Sequence, residues 1–281
     1  MIVANPRSRS ILKTGRYATL VLGAIVMILP FAYMVSTSFK KRTFLFQNPP
    51  QFIPSEPTTR NYIDAWNSSH FSKYFLNSLI VATSSTIITV TFAAMSAYAF
   101  ARFYFFGKKP LFIMLLIGLM VPTIVMIIPQ FIIAKKLHLV DSLTGLIFFY
   151  IGGNFALNTF LLRGFMEEIP VELEDSMKVE GANAWTRFIR LYLPLSRPAL
   201  GTVALFSFLG SWDEFAWAVT LINSEDKRTL PIGIALFHGA HATSWGLVFA
   251  ASIIALIPVV IVFLAAQRHF IQGLSVGGVK G

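Results

Sequence analysis

Stretches of about twenty residues without a charged side chain recur along this chain, and nothing else in the sequence limits its fold so strongly. Residues 17–38, 75–101, 110–133, 142–162 and 246–267 are such runs. A sixth, 198–222, is interrupted only by Asp213 and Glu214. At 1.5 Å per residue, about 20 helical residues cross the roughly 30 Å of hydrocarbon in a bilayer. Inside lipid every backbone N–H and C=O must bond within its own segment or a closed barrel. Barrel strands need only about 9–11 residues, so runs this long predict helices. The expectation is an all-α integral membrane protein, one domain over residues 1–281, with six transmembrane helices.

Composition sharpens the reading. Hydrophobic residues make up 55% and charged residues 13% of the 281, against about 45–50% and about 25% in soluble domains. A net charge of +10 suggests nucleic acid in a soluble chain. In a membrane chain it reflects basic loops facing anionic lipid, so the lipid bilayer is the expected partner and nucleic acid is not. The lack of cysteine excludes disulfides, thiolate metal sites and a cysteine nucleophile. His238 and His241 stand three apart, but nothing nearby completes a metal site.

The first run is longer than the roughly 7–15 apolar residues of a signal peptide. It is read as a retained span behind a basic N-terminal tail. Most of the 23 Lys and Arg residues fall on one side if both termini are cytoplasmic, as the positive-inside rule requires. Pro122, Pro129 and Pro258 lie inside spans. They predict helices packed in a bundle, where other protein satisfies the freed carbonyls. Asn77 is read as a cap for the second span, and Leu230–Phe237 as a re-entrant or interfacial helix.

Between the fourth and fifth spans the sequence changes character. Glu167, Glu168, Glu172, Glu174, Asp175 and Glu180 crowd a short segment of a chain that has 13 acidic residues in all. Pro170 suits a helix start, and Glu172, Glu174 and Asp175 favour the positive end of its dipole. Lys178 suits the other end, and Gly181 supplies a stop that accepts positive φ. Asn183 can cap a second helix whose Trp185, Phe188, Ile189 and Tyr192 share a face. The segment 167–195 therefore predicts a helix, a glycine turn and a helix. Isolated helices this short are marginal in water, so the pair needs its own bundle or a partner to hold it. From the residues alone, a dock for a partner and a packed loop remain equal readings.

The segment ELEDSMKVEGANAWTRFIRLYLP resembles the coupling-loop signature of ABC importer permeases, E-A-A-x3-G-x9-I-x-L-P. Asp175, Ser176, Met177, Gly181, Leu191, Leu193 and Pro194 fall on its positions. Identity is kept at Gly181, Leu193 and Pro194, while Met177 is bulkier than the usual alanine. GSWDEF, TLPIGIALF and the tail QRHFIQGLSVGGVKG resemble further segments of the carbohydrate-type permeases. The likeness covers nearly the whole chain and is closest to the smaller permease of maltose-type importers.

That resemblance implies a multi-pass subunit of the cell inner membrane, both termini cytoplasmic, forming a translocation pathway with a second permease subunit. Two ATP-binding subunits would dock on the cytoplasmic coupling loop, Glu174 included. An extracytoplasmic solute-binding protein would deliver a sugar or sugar derivative. No G-x4-G-K-[ST] motif occurs, so ATP and Mg belong to the partner ATPases. This chain is expected to bind no cofactor or metal and to catalyse nothing.

Asn154, Asn158, Trp212, Asp213 and Glu214 are the candidate pathway residues, since polar groups within spans are functional candidates by default. The plainer readings are an interfacial tryptophan belt for the Trp212 region and interhelical hydrogen bonds for the asparagines. The alternatives are an ion-gradient carrier using Asp213 and Glu214, or an ABC importer of another solute.

Overall fold

The computed structural model describes residues 6–41, 51–68, 70–237 and 244–277. Among them the chain is helical, with no strand beyond one isolated bridge between Lys40 and Pro57. His238 and His241 lie outside the described residues. The helices are α1 Pro6–Ser38, α2 Arg60–Asn67, α3 Phe71–Arg102, α4 Lys108–Met120, α5 Ile127–Lys136 and α6 Leu143–Glu167. They continue as α7 Val171–Val179, α8 Ala184–Arg187, α9 Leu193–Leu195, α10 Arg197–Trp212, α11 Ala216–Leu221, α12 Leu230–Ala235 and α13 Trp245–Gly277. A π turn, Phe188–Tyr192, joins α8 to α9.

Four helices are long and apolar enough to cross a membrane: Gly15–Ser38, α3, α6 and Trp245–Gln267. Two bent pairs, Lys108–Met120 with Thr123–Lys136 and Ala184–Leu195 with α10 (bent by 78°), raise the number to six if each is one span. The third predicted run is one of these, broken between α4 and a 3-10 turn, Thr123–Met126, that leads into α5, with a bend of 97°. Pro122 has no N–H to continue the ladder, and it keeps Val121 extended, with ψ 121°. The fifth predicted run also differs from one continuous helix. It stops at Trp212 and restarts as α11. The second run starts earlier than expected, at Phe71, so Asn77 does not cap it.

Two compact units are present, 1–68 with 236–254, and 69–235 with 255–281. In the first, Asn61 Nδ2 donates to the carbonyls of Ser38 at 2.7 Å and Lys40 at 2.8 Å. The hydroxyls of Ser38 and Tyr62 are hydrogen-bonded at 2.7 Å. Those bonds fix α2 against the C-terminal end of α1.

In the second unit α3 packs along α6 and α10. Small side chains, Ala93, Ala94 and Ala97, let the helices approach closely, as membrane helices need when apolar burial drives nothing between them. One core cluster joins these alanines to Leu162, Met166, Phe188 and Tyr192. The other joins Val81, Leu146, Tyr150, Trp217 and Leu221.

Next to the second cluster, Asp141 ties the turn before α6 to the turn after α11. Its Oδ1 accepts from the amides of Asn223 at 3.0 Å and Ser224 at 2.8 Å, and its Oδ2 from the Ser224 hydroxyl at 2.5 Å. Lys227 Nζ stands 3.2 Å from Oδ2. Asn77 closes the same turn by donating to the carbonyls of Asp226 and Arg228. The Ser224 hydroxyl foremost, then the backbone amides and Lys227, hold the Asp141 carboxyl well below the usual carboxylate range. A carboxylate whose folded pKa is lowered stabilises above its unfolded pKa, about 3.9, and loses that contribution as pH falls through the folded value. Hydrogen exchange should therefore show the Asn223 and Ser224 amides protected at neutral pH and progressively less so below about pH 4. In Asp141→Ala the protection should be low at every pH. Equal protection in both proteins would remove Asp141 from this role.

Candidate functional site

The 167–195 segment folds as a helix, a turn and a helix, and each boundary has a local cause. Pro170 is extended, with ψ 133°, and α7 begins one residue later than a proline at the first helical position would place it. Gly181 has φ +81°. The Ala182 amide donates to the Met177 carbonyl at 2.9 Å and the Gly181 amide to the Lys178 carbonyl at 3.0 Å. This pair of bonds closes a helix end around a left-handed residue. Asn183 Oδ1 then accepts from the Thr186 amide at 2.8 Å and caps α8. The second helix does not stop at Pro194, because the π turn carries the rod through to Leu195.

Glu174 is the one acid of the segment that faces inward, 5% exposed. Tyr192 donates its hydroxyl to Glu174 Oε2 at 2.5 Å, and Arg187 Nε and Lys178 Nζ each lie 3.3 Å from Oε1. Lys178 also reaches Asp175 at 3.0 Å, and that hydrogen bond first, then Glu174, holds the ammonium pKa above its ordinary value. The carboxylate thus spans the glycine turn and locks the two helices together.

The pair is fastened to the bundle through the C-terminal end of α3. Tyr98 stacks on Phe188 and Tyr192, at 5.3 and 4.6 Å between ring centroids, and donates to the Ala184 carbonyl at 3.2 Å. Arg102 donates to the carbonyls of Met166, at 2.6 Å, and Ile169, and covers the Tyr192 ring. A cation is favoured there, at the negative end of α6.

On the outer surface Asp175, Ser176, Gly181 and Pro194 are exposed, and Met177, Leu191 and Leu193 are half-buried. Val171, Leu173, Val179, Trp185 and Ile189 are also exposed.

The other candidate residues separate. Asn158 is buried and donates to Ser207 Oγ at 2.5 Å, joining α6 to α10. Trp212 is buried too, stacked on Phe208 with its indole N–H donating to the Ala255 carbonyl. Asp213 is exposed. Asn154 and Glu214 meet at a cavity of about 290 Å³ lined also by Gln130, Phe149, Tyr150 and Trp217.

Glu214 explains why the fifth run breaks. Its Oε1 accepts from the Trp217 amide at 2.7 Å, and its Oε2 from the Ala218 amide at 2.9 Å and the Tyr150 hydroxyl at 2.7 Å. The carboxylate takes the amides that an unbroken helix would have bonded to its own carbonyls. Among the described residues no three His, Cys, Asp or Glu side chains converge on a point that could hold a metal.

Residues 89–276 match the family model described as binding-protein-dependent transport system inner membrane component. The chain belongs to this family. Among curated relatives of the permease, the diacetylchitobiose uptake system permease protein of Streptomyces coelicolor is 32% identical, covering 93% of this chain and 87% of that protein. The trehalose/maltose transport system permease protein of Thermococcus litoralis is 33% identical, covering 93% and 94%. A solved bacterial ABC transporter involved in the import of the acidic polysaccharide alginate contains a chain of the same fold. It aligns with TM-score 0.80 at 23% identity, over 95% of the permease and 99% of that chain. The permease is a membrane transport component and not an enzyme.

Motif reading found Glu174 and Tyr192 but not the bond between them, nor Arg187 beside Glu174, nor Tyr98 and Arg102, which fasten the pair to the bundle. It also passed over Gln130 and Tyr150. Gln130 carried a signal, being the only amide side chain in the run 110–133.

Proposed function

We propose that the chain is one of two permease subunits in an ATP-driven importer of a sugar or sugar derivative. In this reading it is a single domain over 1–281 with six spans, α4–α5 and α10–α11 each counting as one, and both termini are cytoplasmic. The helix pair from α7 to α9 lies in the cytoplasm and receives an ATP-binding subunit, which holds ATP and Mg. An external binding protein delivers the solute.

The observation that carries the reading is the braced helix pair. Short helices hold their shape here through Glu174 and Tyr98, yet present Val179, 89% exposed, and Trp185, 57% exposed, outward. Apolar side chains on a rigid short helix suit docking into a groove of a partner. The sugar assignment follows from what the relatives carry.

Coexpression with a second permease, an ATPase and a solute-binding protein of the same family of importers should yield one complex that takes up sugar only with ATP. An ion-gradient carrier would instead transport as the purified chain alone. Sugar uptake by this chain in vesicles without an ATPase would reject the importer.

A further inference from the structure

We propose that the cavity walled by α5, α6 and the α10–α11 break is a subsite for one neutral sugar ring and excludes uronates and other anionic sugars. The proposal rests on the importer reading above and adds a substrate class and a location to it.

Three observations converge on the cavity. Both helix breaks border it, Val121–Pro122 through Thr123 and Ile124, and Asp213–Phe215 through Glu214 and Ala216. Broken helices within apolar runs are tolerated where they line a water-filled cavity or are buried in protein, and transporters place their solute sites at such breaks. The volume, about 290 Å³, lies just below the range of small-molecule sites, roughly 300–1,000 Å³, and suits a single ring.

The wall also carries the chemistry of sugar recognition. Phe149 and Trp217 meet edge to face at 4.9 Å, and the half-buried Phe149 supplies aromatic surface for a ring. Trp217 is 5% exposed, and its indole N–H has no hydrogen-bond partner among the described residues. A buried donor left unpaired is costly, and a sugar hydroxyl would accept from it. Asn154 donates one N–H of its side-chain amide to the Tyr150 carbonyl at 3.0 Å, which leaves the other N–H and the oxygen for a ligand. Gln130 offers both functions of its amide.

Charge sets the class. Among the described residues no Lys or Arg lines the cavity, and Glu214 is its one carboxylate. The Glu214 oxygens are held by neutral donors, and among the described residues no cation pairs with it. A second carboxylate would meet like charge without compensation, which weakens uronate binding by at least about 100-fold relative to a neutral ring.

The test uses the purified full-length chain in lipid nanodiscs, followed by tryptophan emission. Maltose and diacetylchitobiose are the neutral probes and an alginate disaccharide the acidic one. At least one neutral sugar should give a saturable change, weakened about 10-fold or more in Gln130→Ala and Asn154→Ala. The alginate disaccharide should bind at least about 100-fold more weakly. Gln130→Lys should narrow that gap at least about 10-fold, a gain that misfolding cannot produce. Equal binding of the acidic sugar, no response to either neutral sugar, or indifference to the Gln130 and Asn154 variants would overturn the subsite. ATP-driven uptake by the assembled system, measured in parallel, decides the importer reading separately.

Discussion

Gly181→Trp is expected to abolish ATP-coupled sugar uptake while the chain still inserts in the membrane. Gly181 stands at φ +81°, and a Cβ there would meet no atom within 4 Å. The fault would therefore be conformational and not a clash inside this chain. An L-residue in the left-handed region costs about 1–2 kcal/mol, and α7 is only nine residues long. A helix of that length has little stability of its own to spare. Straightening the turn would swing Val179 and Trp185 out of the arrangement that a docking groove must match, and the indole itself would stand in that groove. Gly181→Asn should retain most uptake, because Asn tolerates positive φ. Uptake in ATP-loaded vesicles, with insertion checked by protease accessibility, gives the comparison. Wild-type uptake in Gly181→Trp would show that this turn does not couple ATP to transport.

The contrast between what the sequence disclosed and what it hid follows from the range of each interaction. The runs were legible because lipid demands long uncharged stretches, and those at 17–38, 142–162 and 246–267 match the apolar parts Gly15–Ser38, Leu143–Glu167 and Trp245–Gln267 of long helices, two of which extend about ten residues further. The glycine turn was legible because its cause is local: one residue free to take positive φ, and an asparagine two positions on. The helix breaks were not. Hydropathy reads straight through Pro122 and across 213–215. At the second break Glu214 takes the Trp217 and Ala218 amides, and the Tyr150 hydroxyl reaches it from α6, distant in sequence. Asn77 was misread for the same reason, since its side chain serves carbonyls near residue 227, far away along the chain.

The candidate pathway divided on the same principle. Asn154 and Asn158 are one turn apart on one helix and alike in sequence. Asn158 finds Ser207 on α10, whereas Asn154 faces the cavity, because the break beyond Trp212 opens space on that side. Nothing in α6 itself distinguishes the two.

Glu174 supplies the other large effect. In sequence it reads as one more acid at the positive end of a helix, a contribution of a few tenths of a kcal/mol. In the structure it is a buried carboxylate that binds Tyr192, Arg187 and Lys178 across the turn. Removing one partner of a buried ion pair typically costs about 3–5 kcal/mol, because the other charge is stranded. Arg187, with a side chain only 13% exposed, is the charge that would be stranded. Lys178 is too exposed to add much. Glu174→Ala should therefore loosen the helix pair, seen as faster tryptic cleavage after Lys178 and Arg190, and should stop uptake. Adding Arg187→Met removes the stranded cation, so cleavage should slow again, leaving about 1–3 kcal/mol for the unpaired Tyr192 hydroxyl. If the double variant were no more resistant than the single one, ion pairing would not be the cause. Restored order need not restore transport. Tyr192 packs against Tyr98, so Glu174 joins α7 to a side chain in contact with α3. A protease-resistant double variant that still fails to import would separate the brace that holds the pair from the contact that transmits its motion.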